Sequence, residues 1–560
     1  MGFRIRIGKP GNPLFSVAAA RLGGGQVQAL GHGCATFSPI SSHRPLGRIL
    51  IRRQIQGCII NSWLVLIAVL GTVIVVADGL TRTPVLEREA YWNGPLEYQP
   101  YRGAVLLAGS TLALMFGYVR RAGVSLTEGL FLWFVFCTAA YTRDFSYIHW
   151  PGMPFFVTDI VLMILFLSIY MSARSRDLHV PLSVNVFLAM LVAAGALSAL
   201  RGFLQHSGPI FILRDAALVA YPLFLHVAHH LSRSWLSIKR MAVWFLLGTG
   251  LSVLNGLSWF IVAPDERHLI YYGIYVLISL IGILLAIANQ LVKPLSGWLL
   301  AAVFCIGLIL ANARTLYVAL AALIFIGLLA GPLVQNKARL ARLVATVVMV
   351  STLATLASLP FLYTRTGRDF TGRALDELVS GVLDSSNDPY WQFRLIAWKE
   401  AWKRFEEQPL VGEGFGVPFV FELADADVRP HNTFLTVLYK MGLIGFLPLL
   451  GLLVCFLGLS LRAARRNLDS NLVAFLQIML LAQAAFCLYG TANLLLESPF
   501  LASLFWAAMG IGLRMIRMLD AERLLQKYLH AVPNTDECAS RIFDKRADIG
   551  FGKALEAPSS

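Results

Sequence analysis

Apolar runs, each about as long as a bilayer is thick, recur along this chain from residue 57 onward. Runs of roughly 16–23 residues match the ~30 Å of hydrocarbon that a helix crosses at 1.5 Å per residue. The pattern predicts spans near 57–77, 104–119, 124–141, 155–173, 182–200, 209–230, 241–263, 268–288, 295–313, 315–332, 340–359, 442–461, 472–491 and 498–516. Short connections separate them, except for one long polar stretch at 360–441. The fold class expected is all-α: a polytopic membrane protein with about 14 transmembrane helices, or as few as 11 if short neighbours merge. No internal repeat of fixed period accompanies the spans.

Composition agrees with this pattern. Of 560 residues, 57% are hydrophobic and 14% charged, with a mean hydropathy of +0.67. Soluble domains carry nearer a quarter charged residues, so a large soluble core is excluded. Residues 1–56 contain lysine and arginine but no aspartate or glutamate, and no long apolar run. They read as a disordered basic tail, although a transit peptide has a similar composition and a misassigned start is another reading. Residues 57–516 form the membrane domain, and the polar, mixed-charge 517–560 forms a C-terminal tail.

The net charge of +15 sits between spans rather than on a soluble module. Alternate connections hold Arg120-Arg121, Arg174 with Arg176, Arg233 with Lys239-Arg240, Lys293, Lys337 with Arg339 and Arg342, and Arg462 with Arg465-Arg466. The intervening ones hold Asp265, Glu266 and Glu497. Positive connections face the cytoplasm, so both termini are expected inside and the 360–441 loop outside. The same spread points to anionic lipids and an anionic lipid-linked substrate, not nucleic acid. Seven scattered cysteines without a C-x-x-C give no disulfide framework or zinc site. Neither a metal nor another cofactor is expected; Asp425-Ala426-Asp427 is only a three-residue match to a D-x-D.

The polar loop is where chemistry is expected. Trp391, Arg394, Leu395, Trp398, Trp402 and Phe405 recur at helical spacing, predicting a helix on the membrane surface with one aromatic face. Arg394 on that face either snorkels or stacks, or else aims at a phosphate. Arg314, at the outer end of a span, poses the same choice. Arg214 and Asp215 are sequence neighbours and so point to different helix faces. Each needs a partner elsewhere, as does Asp159, which reads as structural. His431 follows Pro430 and precedes Asn432-Thr433, a helix-start pattern. The helix dipole and nearby arginines favour a neutral imidazole there, able to accept a proton at pH 7. Gly412, Gly414 and Gly416 suit a tight turn beside it.

His431-Asn432, nine further residues and then Gly442-Leu443-Ile444-Gly445 resemble the H-[NSQ]-x9-G-x-x-G signature of the O-antigen ligase and O-antigen polymerase family. Arg394 to Trp398 followed by Pro409-Leu410-Val411-Gly412-Glu413-Gly414 looks like the family's loop order, and Arg314 like its membrane-border arginine. The resemblance covers about 305–450. It implies a helical glycosyltransferase (GT-C-like) membrane fold in the bacterial inner membrane. It also implies metal-independent transfer of a glycan from an undecaprenyl-diphosphate donor to an acceptor hydroxyl on lipid A core or on another lipid-linked glycan. On that reading Arg314 and Arg394 hold the diphosphate, with Arg214 as a third candidate. His431 orients or deprotonates the acceptor, and Asn432, Gly412 and Gly414 line the site. Ligase, polymerase and protein O-oligosaccharyltransferase all remain open. The rival from another class is a secondary transporter or flippase of lipid-linked sugars, which calls for broken helices carrying ionisable groups at midplane.

Overall fold

The computed structural model describes residues 46–81, 102–149, 155–171, 180–262, 272–311, 313–329, 389–422, 429–466 and 471–531. By contacts the chain divides into two units, Met1–Ile55 and Gln56–Ser560, and the second holds everything discussed below. The expected span at 340–359, residues 360–388 of the polar loop and Asp425-Ala426-Asp427 lie outside the described residues.

Among the described residues fifteen helices run in order: α1 Leu46–Thr81, α2 Arg102–Ala122, α3 Leu126–Ser146, α4 Val157–Tyr170, α5 Leu182–Leu204, α6 Pro209–Ala220, α7 Leu223–Leu231 and α8 Trp235–Val262. They continue as α9 Gly273–Ala288, α10 Pro294–Ala311, α11 Arg314–Leu329, α12 Pro389–Glu407, α13 Thr433–Arg466, α14 Asn471–Gly490 and α15 Pro499–Ala531. The described residues contain no strand, only an isolated bridge between His149 and Phe156. The chain is a polytopic all-α membrane protein. Among the described residues eight helices are long and apolar enough to span a bilayer, or nine if the bent pair α6–α7 counts as one. The spans expected at 155–173 and 268–288 are the shorter apolar helices α4 and α9.

Lipid solvent explains the burial pattern. Val65, Val69, Val73, Leu182, Leu200 and Val454 are large, apolar and exposed, as a hydrocarbon-facing surface requires. The protein-facing core is aromatic: Phe134 stacks on Phe224 with centroids 5.1 Å apart, and Tyr118 and Phe136 meet Trp244 edge-on. Asp159 accepts the Phe156 N–H at 2.9 Å and the Tyr221 hydroxyl at 2.8 Å, the structural role its burial demands.

Two helices are broken where the site lies. The pair α6–α7 bends by 41° at Tyr221-Pro222, where proline has no N–H to give. Helix α13 is interrupted at Gly442, which takes φ 59° and ψ −163°. The loop 408–416 is clasped into that gap. Glu413 and Gly414 donate to the carbonyls of Tyr439 and Lys440 at 2.7 and 3.1 Å, while Leu443 and Ile444 donate to Pro409 and Leu410 at 2.8 and 3.1 Å. The hydrogen bonds lost by the helix are thus replaced by bonds to the loop.

The loop helix α12 forms over the expected residues. Its buried line is Ala397 and Ala401, which lets it approach Phe419, Phe421 and Tyr439 closely. Leu395 and Trp402 point outward, 46% and 47% exposed, and Trp402 Nε1 bonds Glu406. Small residues make the centre of this contact, with Phe393, Ile396 and Phe405 packed beside them.

Candidate functional site

The site is built at one end of the bundle, where α3 ends and α6, α13 and α15 begin. Helix α3 starts conventionally, with the Ser125 hydroxyl accepting the Glu128 N–H. It is kinked near its far end at Thr142, which is buried and holds φ 40°. Such a backbone is strained for a β-branched residue. The kink delivers Arg143, Asp144 and Tyr147, with Arg143 Nε 3.9 Å from Asp144.

Around the half-buried Tyr147 stand the charges of Arg143, Arg214, Arg429 and Glu497. Three of these four are cationic and come from three separate elements. Arg214 also lies over the ring of Phe211, 5.5 Å from its centroid. Its neighbour Asp215 turns the other way, as adjacent helical residues must. The Asp215 carboxylate takes the Arg429 guanidinium, the Lys440 ammonium at 3.2 Å and the Gly416 N–H at 2.8 Å. Lys440 also donates to the Val417 carbonyl. One carboxylate therefore joins the α6 turn, the glycine loop, the segment before His431 and the middle of α13. Together Arg143, Arg214, Arg429 and Lys440 outnumber Asp144, Asp215 and Glu497 by one positive charge.

His431 sits beside this cluster, half-buried, in a left-handed conformation with φ 50°. The next residue, Asn432, caps α13 by accepting the N–H groups of Phe434 and Leu435, both at 3.1 Å. Trp398 on α12 donates to the Pro430 carbonyl at 2.8 Å, which pins that helix against the residue before His431. Arg394, one turn away on the same helix, comes within electrostatic reach of the imidazole. Burial first, and then Arg394, push the His431 pKa down to about 4. The expected neutral imidazole is therefore present, with desolvation as the main cause in place of the helix dipole.

The start of α13 is further held by Thr433. Its hydroxyl donates to Glu497 Oε2 at 2.6 Å and accepts the Leu495 and Leu496 N–H groups at 2.7 and 3.3 Å. The same 489–497 turn reaches the start of α11, where Asn493 Nδ2 lies 3.5 Å from the Thr315 hydroxyl. Arg314 opens α11 next to that contact.

Of the residues read from sequence, Arg394 and His431 come together, and Arg214 joins the cluster through Tyr147 and Phe211. Asn432 spends its carbonyl on the helix cap. Gly412 (φ 67°) packs backbone to backbone with Gly442: a Cβ on it would lie 2.5 Å from Lys440 C and Met441 N. Gly414, at φ 102°, faces Arg201 and the Ser198 carbonyl. The sequence reading missed Arg143, Tyr147, Arg429 and Lys440. Arg429 carried a signal, being two residues from His431; Arg143 carried only the cost of a charge at the end of an apolar span.

Arg404 organises the loop. It donates to Glu400 and Glu413, and to the Pro418 and Val420 carbonyls, and it lies 4.8 Å from the Phe419 ring centroid. Among the described residues, no group of three or more His, Cys, Asp or Glu is placed to hold a metal.

Residues 299–450 match the family model described as O-antigen ligase. The segment around the histidine signature is thus similar to the O-antigen ligase family, as the signature implied. No curated protein matches the chain. The O-antigen ligase segment holds Arg314, Arg394, Arg429, His431 and Lys440. Arg143, Tyr147, Arg214, Asp215 and Glu497 approach it from outside.

Proposed function

We propose that this membrane glycosyltransferase moves a glycan from undecaprenyl diphosphate to an acceptor hydroxyl at the outer face of the bacterial inner membrane. The carrying observation is a neutral imidazole beside Arg394, adjoining a buried cluster with more cations than carboxylates. In the reaction, the acceptor oxygen attacks the anomeric carbon and the bond from that carbon to the diphosphate oxygen breaks. The lipid diphosphate leaves with the electron pair, and His431 takes the hydroxyl proton. Arginine forks suit the departing charge, since guanidinium binds phosphate oxygens two at a time. In a dry site such donors are worth more than in water. Arg394, Arg214 and Arg314 are assigned to the diphosphate, and Arg143 and Arg429 join them. This chemistry needs no metal.

The acceptor is lipid A core for a ligase and a second lipid-linked glycan for a polymerase. The outer placement is supported by charge. Arg120 and Arg121, Arg233, Lys293 and Arg465 cluster at helix ends opposite to those that build the site.

The transporter reading gains one observation, because both broken helices carry buried ionisable groups, Asp215 and Lys440. The break in α13 is closed by loop hydrogen bonds, however, and Asp215 is fully engaged. The deciding experiment uses His431→Ala in membranes supplied with a lipid-diphosphate glycan donor. Transfer is expected to drop by roughly 10²–10⁴ while insertion is unchanged. Undiminished transfer by this variant excludes His431 from the chemistry, and lipid translocation without transfer in the wild type favours the transporter.

A further inference from the structure

Beside the charged cluster lies a polar cleft of about 580 Å³ between the α5–α6 turn and the glycine loop. Gln205, Ser207 and Gln408 bring neutral hydrogen-bonding groups to it, and His206 and Glu413 complete the polar wall. Phe211 adds an aromatic ring to a residue 41% exposed. Among the described residues the lining contains no lysine or arginine. Glu413 itself is held and compensated by Arg404 at 3.2 Å.

The cleft and the cluster share a wall one residue thick. Gly416 lines the cleft and gives its N–H to Asp215. At φ 83°, a Cβ on it would lie 2.5 Å from Ile212 Cγ1 and 2.9 Å from Ser207 Cβ, so only glycine keeps the wall this thin. Phe211 likewise shows its ring to the cleft side and carries the Arg214 guanidinium. His206 holds φ 59°, the left-handed position that closes α5, where the Ser207 N–H reaches back to the Gly202 carbonyl at 3.0 Å.

These walls define the ligand. A diphosphate calls for cations, which stand behind the wall and not in it. A lipid tail calls for an apolar lining. A sugar ring has hydroxyls that both give and accept hydrogen bonds, and a C–H face that packs on an aromatic ring. We infer that this cleft binds a sugar unit of the glycan next to the one that reacts. The inference rests on the transferase reading. Donor and acceptor glycans share this chemistry, and kinetics separates them.

The test uses the full chain in lipid nanodiscs. The probe is the oligosaccharide released by mild acid from the lipid-linked glycans of the source cells, with binding followed by titration calorimetry. Two variants are compared: Ser207→Trp, which fills the cleft, and His206→Gly, which removes the imidazole but keeps the left-handed turn. Wild-type binding is expected, weakened on the order of tenfold by Ser207→Trp and severalfold by His206→Gly. In transfer assays the same variants raise the KM for one substrate and leave kcat within about twofold of the wild type. A rise for the donor assigns the sugar to the donor chain, and a rise for the acceptor assigns it to the acceptor. No binding by the wild type, or equal binding by all three proteins, overturns the inference. Oligosaccharide binding lost in Ser207→Trp, with no transfer by the wild type, leaves the cleft standing and removes the transferase reading.

Discussion

At the scale of single residues, the site depends on two burial effects of opposite consequence. His431 is uncharged because burial and Arg394 hold its pKa near 4, against an ordinary 6.5. The free enzyme therefore keeps its base form well below neutrality. The pH profile of kcat/KM is expected to stay flat from pH 8 to about 5 on its acid side, falling only as pH approaches 4. A half-drop near 6.5 in that profile shows an ordinary histidine. The linked stability effect has a definite sign: the unfolded state gains a proton below about 6.5 and the folded state does not, so stability declines as pH falls from 6.5 toward 4. Asp215 is the contrasting case, a charge kept buried by partners. Asp215→Asn leaves Arg429 and Lys440 without their carboxylate, and removing one member of a buried ion pair costs about 3–5 kcal/mol. Asp215→Asn combined with Arg429→Met should cost less than the two single changes added together, as measured by thermal unfolding in detergent. Strict additivity shows that the two side chains do not act on each other.

At the scale of elements, the break in α13 is the feature on which the loop depends. A Cβ on Gly442 would stand 2.3 Å from the Leu410 carbonyl oxygen and 2.6 Å from Gly412 N, both backbone atoms. Gly442→Ala is expected to destabilise the protein by more than ~1 kcal/mol and to reduce transfer, through displacement of the loop. Gly458→Ala in the same helix meets nothing within 4 Å and should be neutral or stabilising, since alanine is the better helix former. Equal melting temperatures for the two variants count against the clasp. This element also shows what a sequence reading can reach. The spacing from His431 to Gly442 and Gly445 is local, so it was legible as a motif. The break itself was not, because apolar residues continue on both sides of Gly442 as they do in an unbroken helix. The protein-packed face of α12 was not legible for a related reason: Ala397 and Ala401 touch the core because they are small, and small residues leave little mark on a hydrophobic pattern. Arg143 and Tyr147 were out of reach, since only tertiary packing brings α3 to residue 429.

At the scale of the whole molecule, burial and charge divide the bundle into two unlike ends. One end carries the cluster, the cleft and the thin wall between them. The other carries Arg120, Arg121, Arg233, Lys239 and Arg465 on the ends of α2, α8 and α13 and their connections. A basic end is retained on the cytoplasmic side because lysine and arginine next to a span resist translocation. On the proposed orientation Gln205, at the end of α5, faces outward, and Arg462, near the end of α13, faces inward. Both side chains are exposed, so each can be replaced by cysteine without disturbing the core. A membrane-impermeant maleimide applied to spheroplasts is expected to label Gln205→Cys at once and Arg462→Cys only after permeabilisation. Of the native cysteines, Cys137 is buried and Cys305, Cys455 and Cys487 are half-buried; the unsubstituted protein supplies the background. The reverse labelling order places the site in the cytoplasm, where a glycan acceptor on the outer leaflet cannot reach His431. The fold then survives and the proposed reaction does not, because a lipid-borne diphosphate must present its sugar at the face where the imidazole and the guanidinium groups are found.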